Sequence, residues 1–233
     1  MKKLLISIAV FIFTVNYTYS QLGIQAGYAY SPSKGNLELG RYGEYSGTFR
    51  NSGFQGGLTY DFRIKGELGM HTGVLYSFFG GKTIEKEKII DNRYGDLTTT
   101  SNYHFLDLPI RVTYSLPVTN DLKMFFFGGP NLTYALSGTS ESVIKGKLAS
   151  GTASSKNLKH YDVYKDFEND LLRFDLKLGF GGGVQYKQLR FNIGYDFGIL
   201  NGYTGLVKTN SDDKNYKVRR GQLGISLAFL LWK

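Results

Sequence analysis

Apolar and polar residues alternate with period two over most of this chain, and the pattern predicts eight β-strands. Near 21–31, Leu22, Ile24, Ala26, Tyr28 and Tyr30 share one face. Near 52–64 the face is Phe54, Leu58, Tyr60, Phe62 and Ile64, and near 67–80 it is Leu68, Met70, Val74, Tyr76 and Phe78. The fourth strand is "HFLDLPIRVTYSL", 104–116, with Leu106, Leu108, Ile110, Val112 and Tyr114 on one side. The remaining four lie near 121–137, 170–187, 188–200 and 217–232, the last carrying Leu223, Ile225, Leu227, Phe229 and Leu231. No later segment offers the roughly twenty consecutive apolar residues of a membrane helix.

The connections fall into two alternating classes. "RIKG", "PVTND" and "KQ" are short turns. The segments around 32–51, 81–101, 138–169 and 201–216 are long and rich in Gly, Ser, Thr, Asn and Lys. A meander built this way has tight turns at one end and large loops at the other, the asymmetry of bacterial outer-membrane barrels.

Alternation alone does not say which face is buried. The second face decides it. A soluble barrel would crowd that face with Lys and Glu. Here it is mostly small, with Gly23, Gly57, Gly69, Gly181, Gly183 and Gly194 among its members. The charges among them are few: Asp107, Arg111, Arg173, Asp175, Lys177, Arg190 and Asp196. Small and ionic residues suit the cramped interior of an eight-stranded barrel, which side chains just fill. The bulky face then lies outside, against lipid. Its tyrosines and phenylalanines gather toward both strand ends, as two interfacial girdles would. The expected fold is therefore all-β, an eight-stranded antiparallel up-and-down transmembrane β-barrel. The seven charged residues form a predicted structural network in the lumen. Pro109 shares their face and lacks a ladder donor, so a local bulge or lumenal water is expected there.

Composition agrees. Glycine numbers 30, proline 4, and Tyr plus Phe number 18 and 17 in 233 residues, a mixture for strands and turns. There are no cysteines, which removes disulfides, thiolate metal sites and lipoprotein anchoring. The formal charge of +9 is scattered among acids, with no basic helix or aromatic RNA-binding motif, so no nucleic-acid partner is expected. At the start, Lys2 and Lys3 precede the apolar run "LLISIAVFIF", and Thr18 and Ser20 stand at −3 and −1 of a cut before Gln21. That predicts a secretory signal peptide over 1–20 and a barrel domain over 21–233.

Chemistry is sparse. The three histidines are His71, His104 and His160, and none forms a His-x-Ser pair. Neither a catalytic base beside a nucleophile nor a metal cluster is predicted, and no cofactor. His71 has lumenal parity, His104 sits at the loop-side mouth and His160 lies in the third long loop. That loop carries Lys145, Lys147, Lys156, Lys159 and Lys165, in reach of lipopolysaccharide phosphates or an acidic partner; its near balance of charge reads more simply as a solvated loop. "TNSDDKN" has the acids of a calcium loop without its spacing.

Three stretches carry a family likeness. "FLDLPIRVTYSL", "FFFGGPNLTYALSG" and "FDLKLGFGGGVQYKQLRFNIGYDFGILN" resemble successive strands of the PorT-like small outer-membrane β-barrel proteins of Bacteroidetes. The likeness covers essentially the whole mature chain. It implies the barrel fold and a bacterial outer-membrane location, in contact with outer-membrane lipid and lipopolysaccharide; the sparse chemistry above, not the likeness, is what predicts a role without enzymatic activity. Some members of that group take part in protein secretion and most have no assigned role, so a secretion-system or surface-protein partner is one option the likeness leaves open. The final segment looks like the signal read by the barrel insertion machinery, with Gln222, Gly224, Leu227 and Phe229 in place; it departs by ending Leu231-Trp232-Lys233. The competing function is an outer-membrane lipid-modifying enzyme, a lipid A or phospholipid acyl hydrolase or transferase.

Overall fold

The computed structural model describes residues 20–38, 44–88, 94–147, 153–166, 171–202 and 216–231. The expected signal peptide, Ser20 excepted, lies outside them, as do "TNSDDKN", Trp232 and Lys233. The strands are β1 (Ser20–Glu38), β2 (Glu44–Lys65), β3 (Leu68–Lys88), β4 (Tyr94–Pro117), β5 (Leu122–Lys147), β6 (Ala153–Asp162), β7 (Phe174–Tyr186), β8 (Leu189–Gly198), β9 (Tyr216–Arg220) and β10 (Gln222–Leu230). A four-residue helix α1 (Val163–Asp166) follows β6. Among the described residues no helix is long and apolar enough to cross a membrane.

Pairing runs β10-β8-β7-β5-β4-β3-β2-β1, and β1 returns to β10, so the sheet closes on itself. The ring has eight staves. Gly221 alone separates β9 from β10, and both pair with β1 as one continued stave. β6 pairs with β5 between Thr139 and Lys147. A walk along partners from Ser20 passes Phe62, Met70, Val112, Gly128, Phe180, Tyr195 and Leu223 and comes back to β1 at Tyr30. The stagger from 20 to 30 tilts the strands by about 40° from the barrel axis.

Side chains divide as the alternation predicts. Ile24, Leu58, Val74, Val112, Phe126, Leu178, Phe180 and Leu227 are half or more exposed on the outer face. Thr59, Ser77, Asp107, Thr133, Asp175 and Lys177 are buried inside. An apolar exterior around a polar interior is the inverse of a soluble barrel.

Two features depart from the sequence reading. The first is length. Segments expected as loops continue as paired strands: β1 with β2 out to Glu38 and Glu44, β3 with β4 out to Lys88 and Tyr94, and β5 with β6. Beyond the lipid band both faces of a hairpin meet water, so the residues lose the apolar alternation that marks a strand. The second is Pro109. It causes no bulge: Pro109 pairs with Asn131, and Val112 with Gly128, in unbroken register. The irregularity in that ladder falls between His104 and Phe105. Instead, the β3–β4 pairs lapse between Thr72↔Ile110 and Leu75↔Asp107, where the missing N–H leaves a gap that needs no extra residue.

The lumen is tight because glycines make room for large side chains. A Cβ on Gly181 would come 2.5 Å from Phe127 Cζ, and one on Gly183 2.7 Å from Phe125 Cζ. These inward phenylalanines take the volume that β7 vacates. The turn between β7 and β8 holds Lys187 at φ 54°, a left-handed conformation that costs a side-chain-bearing residue about 1–2 kcal/mol. Lys187→Gly is expected to raise stability by roughly 0.5–1 kcal/mol, read as a higher urea midpoint with an unchanged slope.

Candidate functional site

The interior is built in three layers. Nearest the short turns, Arg190 on β8 donates from Nη1 to Asp61 Oδ1 on β2 (2.6 Å) and from Nη2 to Gln185 Oε1 (3.1 Å). His71 Nδ1 lies 2.9 Å from the same carboxylate oxygen. The guanidinium stacks 4.7 Å from the centre of the Phe125 ring.

In the middle layer Arg111 on β4 pairs with Asp196 on β8 and also donates to the Gly129 carbonyl. Asn131 Nδ2 donates to the other Asp196 oxygen at 3.0 Å. A Cβ on Gly179 would fall on this pair, at 1.6 Å from Asp196 Oδ1, so only glycine leaves the ion pair its space. Beside it Asp107 is fully buried. Its oxygens accept from Ser77 Oγ (2.5 Å), Gln55 Nε2 (3.1 Å) and Thr133 Oγ1 (2.5 Å). Lys177 Nζ stands 3.8 Å away and donates to Gln222 Oε1 at 2.6 Å.

The third layer closes the loop-side mouth. α1 turns Tyr164 inward, where it packs with Ala29, Phe79, Phe105 and Ala135. Arg220 on β9 lies 3.5 Å from Asp175, donates to Tyr164 Oη at 3.1 Å and covers the Phe105 ring at 4.7 Å. Arg173 donates to the carbonyls of Ala135, Leu136 and Tyr164 rather than to an acid.

Among the described residues, then, each lumenal acid has its cation: Asp61 with Arg190, Asp107 with Lys177, Asp175 with Arg220 and Asp196 with Arg111. Of the seven residues expected in the network, the structure places six in these pairs and Arg173 at the rim. Asp61 and Arg220 complete the pairs and were missed. Parity would have found both. Asp61 shares its face with Gln55, Gly57 and Thr59, and Arg220 shares its face with Gln222 and Gly224, but each stood where the sequence read as a strand end.

Between the first two layers a cavity of about 80 Å³ remains, lined by His71, Arg111, Phe125, Asn131 and Arg190 among others. Gln25 Oε1, Asn131 Oδ1 and Arg190 Nε have no protein partner there. Such a space takes a few waters; sites for small-molecule ligands are several times larger. No group of three His, Cys, Asp or Glu able to hold a metal occurs among the described residues. His71 is inside, and His104 faces outward beside Tyr76; the side chain of His160, like those of Lys145, Lys147, Lys156 and Lys159, lies outside the described residues. Lys165 is exposed, 3.7 Å from Asp162. Gln222, Gly224, Leu227 and Phe229 all fall on β10, the first two inward and the last two outward.

A closed ring with an apolar exterior can only be stable in lipid. The family model for the outer membrane protein β-barrel domain matches residues 14–203. This chain belongs to that family. The outer-membrane barrel is located in the bacterial outer membrane. Similar solved structures include Neisserial surface protein A, NspA (15% identity, 89% of this chain and 96% of that one, TM-score 0.37). They also include Ail, the attachment invasion locus protein of Yersinia pestis, in complex with the heparin analogue sucrose octasulfate (16%, 91% and 100%, TM-score 0.29). A third is the outer membrane protease OmpT from Escherichia coli (9%, 94% and 99%, TM-score 0.45). No curated protein matches this sequence.

Proposed function

We propose that this barrel is a non-enzymatic scaffold that presents its long hairpins at the cell surface, as an accessory to protein secretion or surface interactions. The observation that supports this reading is the contrast between a filled lumen and greatly extended strands. β3 continues from Phe78 to Lys88, and β5 from Leu136 to Lys147, well past the outward aromatic residues. Ten residues of strand reach about 33 Å along the chain, far beyond a headgroup layer. Inside, among the described residues, paired charges and the Tyr164 cork occupy the lumen. The resemblance of its strands to PorT-like barrels of Bacteroidetes points the same way. Its partners on this reading are outer-membrane lipid and lipopolysaccharide, the insertion machinery that reads β10 during assembly, and an exported or surface protein engaged by the hairpins.

The test is a deletion strain of the source bacterium, assayed for lipid A acyl pattern and for exported surface proteins. Unchanged lipid with lost surface proteins is the expected result. An altered acyl pattern restored by the wild-type gene would replace the scaffold with the lipid-modifying enzyme.

A further inference from the structure

One quarter of the outer face joins aromatic residues to polar ones. On β2, β3 and β4 the outward aromatic residues near the loop end form a contiguous group. Phe54 and Phe78 ring centres are 5.5 Å apart, Phe78 and His104 5.1 Å, and Tyr76 and His104 5.9 Å. His104 Nδ1 and Tyr76 Oη are within 2.5 Å on this exposed surface. Two polar side chains turned toward lipid need a reason, because an interface position rewards them only where headgroups are in reach.

Directly above the rings comes a notch. Gly80 has no side chain, and a Cβ there would stand 3.3 Å from Asn102 Oδ1 and 3.8 Å from the Phe78 ring. Above the notch are Arg50 on β2 and Lys82 on β3, both exposed. They are neighbours: Ser52 pairs with Gly80, and a Cβ on Gly81 would lie 3.2 Å from the Arg50 carbonyl oxygen. Among the described residues neither cation has an ion-pair partner. On β5 the outward residues that continue past Leu136 are Ser137, Thr139 and Glu141, which carry no cation.

Height fits as well. A lipid band about 25 Å tall takes roughly ten tilted residues, the distance from Leu68 to Phe78 on β3. Lys82 is four residues further, about 10 Å higher at this tilt. Lysine and arginine stems bend back toward the interface and place their charges at headgroup depth.

We propose that this face binds the phosphate of a phosphorylated lipid headgroup in the outer leaflet. Arg50 and Lys82 hold the phosphate, Asn102 borders the notch at Gly80, and the Phe54–Phe78–His104 surface carries the first acyl segments. Tyr76 Oη and His104 Nδ1 share a hydrogen bond, which leaves His104 Nε2 to meet the headgroup. The site deepens the lipid partnership of the scaffold reading and rests on its loops-outward orientation.

The test uses the full barrel in nanodiscs of phosphatidylcholine doped either with bisphosphorylated lipid A or with its dephosphorylated form. Bound lipid A is counted by native mass spectrometry after release. The wild type should prefer the phosphorylated form, and R50Q/K82Q should bind it about thirtyfold more weakly, at roughly fivefold per charge removed. K123Q/K187Q, at the turn end, should match the wild type. Heat-modifiable gel mobility certifies that each variant is folded. If R50Q/K82Q fails to fold, the wild-type comparison still decides. Equal binding of the two lipid forms by the wild type, or undiminished binding by a folded R50Q/K82Q, would overturn the site. Neither outcome touches the scaffold reading, which the acyl pattern of the deletion strain judges separately.

Discussion

Asp107→Leu is expected to destabilise the barrel by about 3–5 kcal/mol, because it leaves Lys177 buried without its opposite charge. Asp107 has no exposed surface and Lys177 is 4% exposed, so bulk solvent does not reach either one. The carboxylate also accepts from Ser77, Gln55 and Thr133, and three donors lose their acceptor at once. Lys177→Met alone should cost a comparable amount by leaving the acid uncompensated. The double variant should cost much less than the two singles combined, since matched apolar groups replace a buried pair at little loss. Reversible urea unfolding in phospholipid vesicles measures all four corners of the cycle. Strict additivity would mean that Asp107 and Lys177 do not act as a pair.

The same cycle explains what was legible in the sequence. A lumenal acid or base is recognisable at strand parity: Lys177 and Asp196 interrupt rows of glycines, and Asp107 and Arg111 flank Pro109 opposite a row of bulky apolar residues. Who pairs with whom is not legible. Arg190 reaches Asp61, 129 residues away, through the stagger of the closed ring, and no local pattern encodes that stagger. The inward phenylalanines were hidden for a different reason. Phe125, Phe126 and Phe127 form a run, so alternation credits the outward Phe126 and cannot assign its neighbours until the facing glycines of β7 are placed beside them. The cork is the least legible part. Tyr164 belongs to a polar stretch, and only the tertiary fold brings it beneath Arg220.

A filled lumen with matched charges also constrains function. The four pairs tie β2 to β8, β4 to β8, β4 to β7 and β7 to β9, so they cross-link the ring from inside. A barrel stapled in this way is a rigid support. On the proposed reading, partners meet the hairpins above it or the outward rim at Arg50 and Lys82.

Leu108→Arg tests the exterior as Asp107→Leu tests the interior. Leu108 is 38% exposed on the outer face and pairs with Leu132 of β5, midway between His104 and Tyr114. An arginine at the bilayer midplane of such a barrel costs about 2–4 kcal/mol, and the cost falls to roughly 0–1 near the interfaces. The matched control is Glu141→Arg, outward on β5 but far above the aromatic residues, where an effect within about 0.5 kcal/mol is expected. Folding into vesicles of defined thickness reads both. Equal tolerance at the two positions would place Leu108 outside lipid and undo the assigned orientation. The comparison is sharp because Asp107 and Leu108 are adjacent. One requires a charge and its neighbour forbids one, and a slip of a single residue in β4 would exchange their faces along the whole strand.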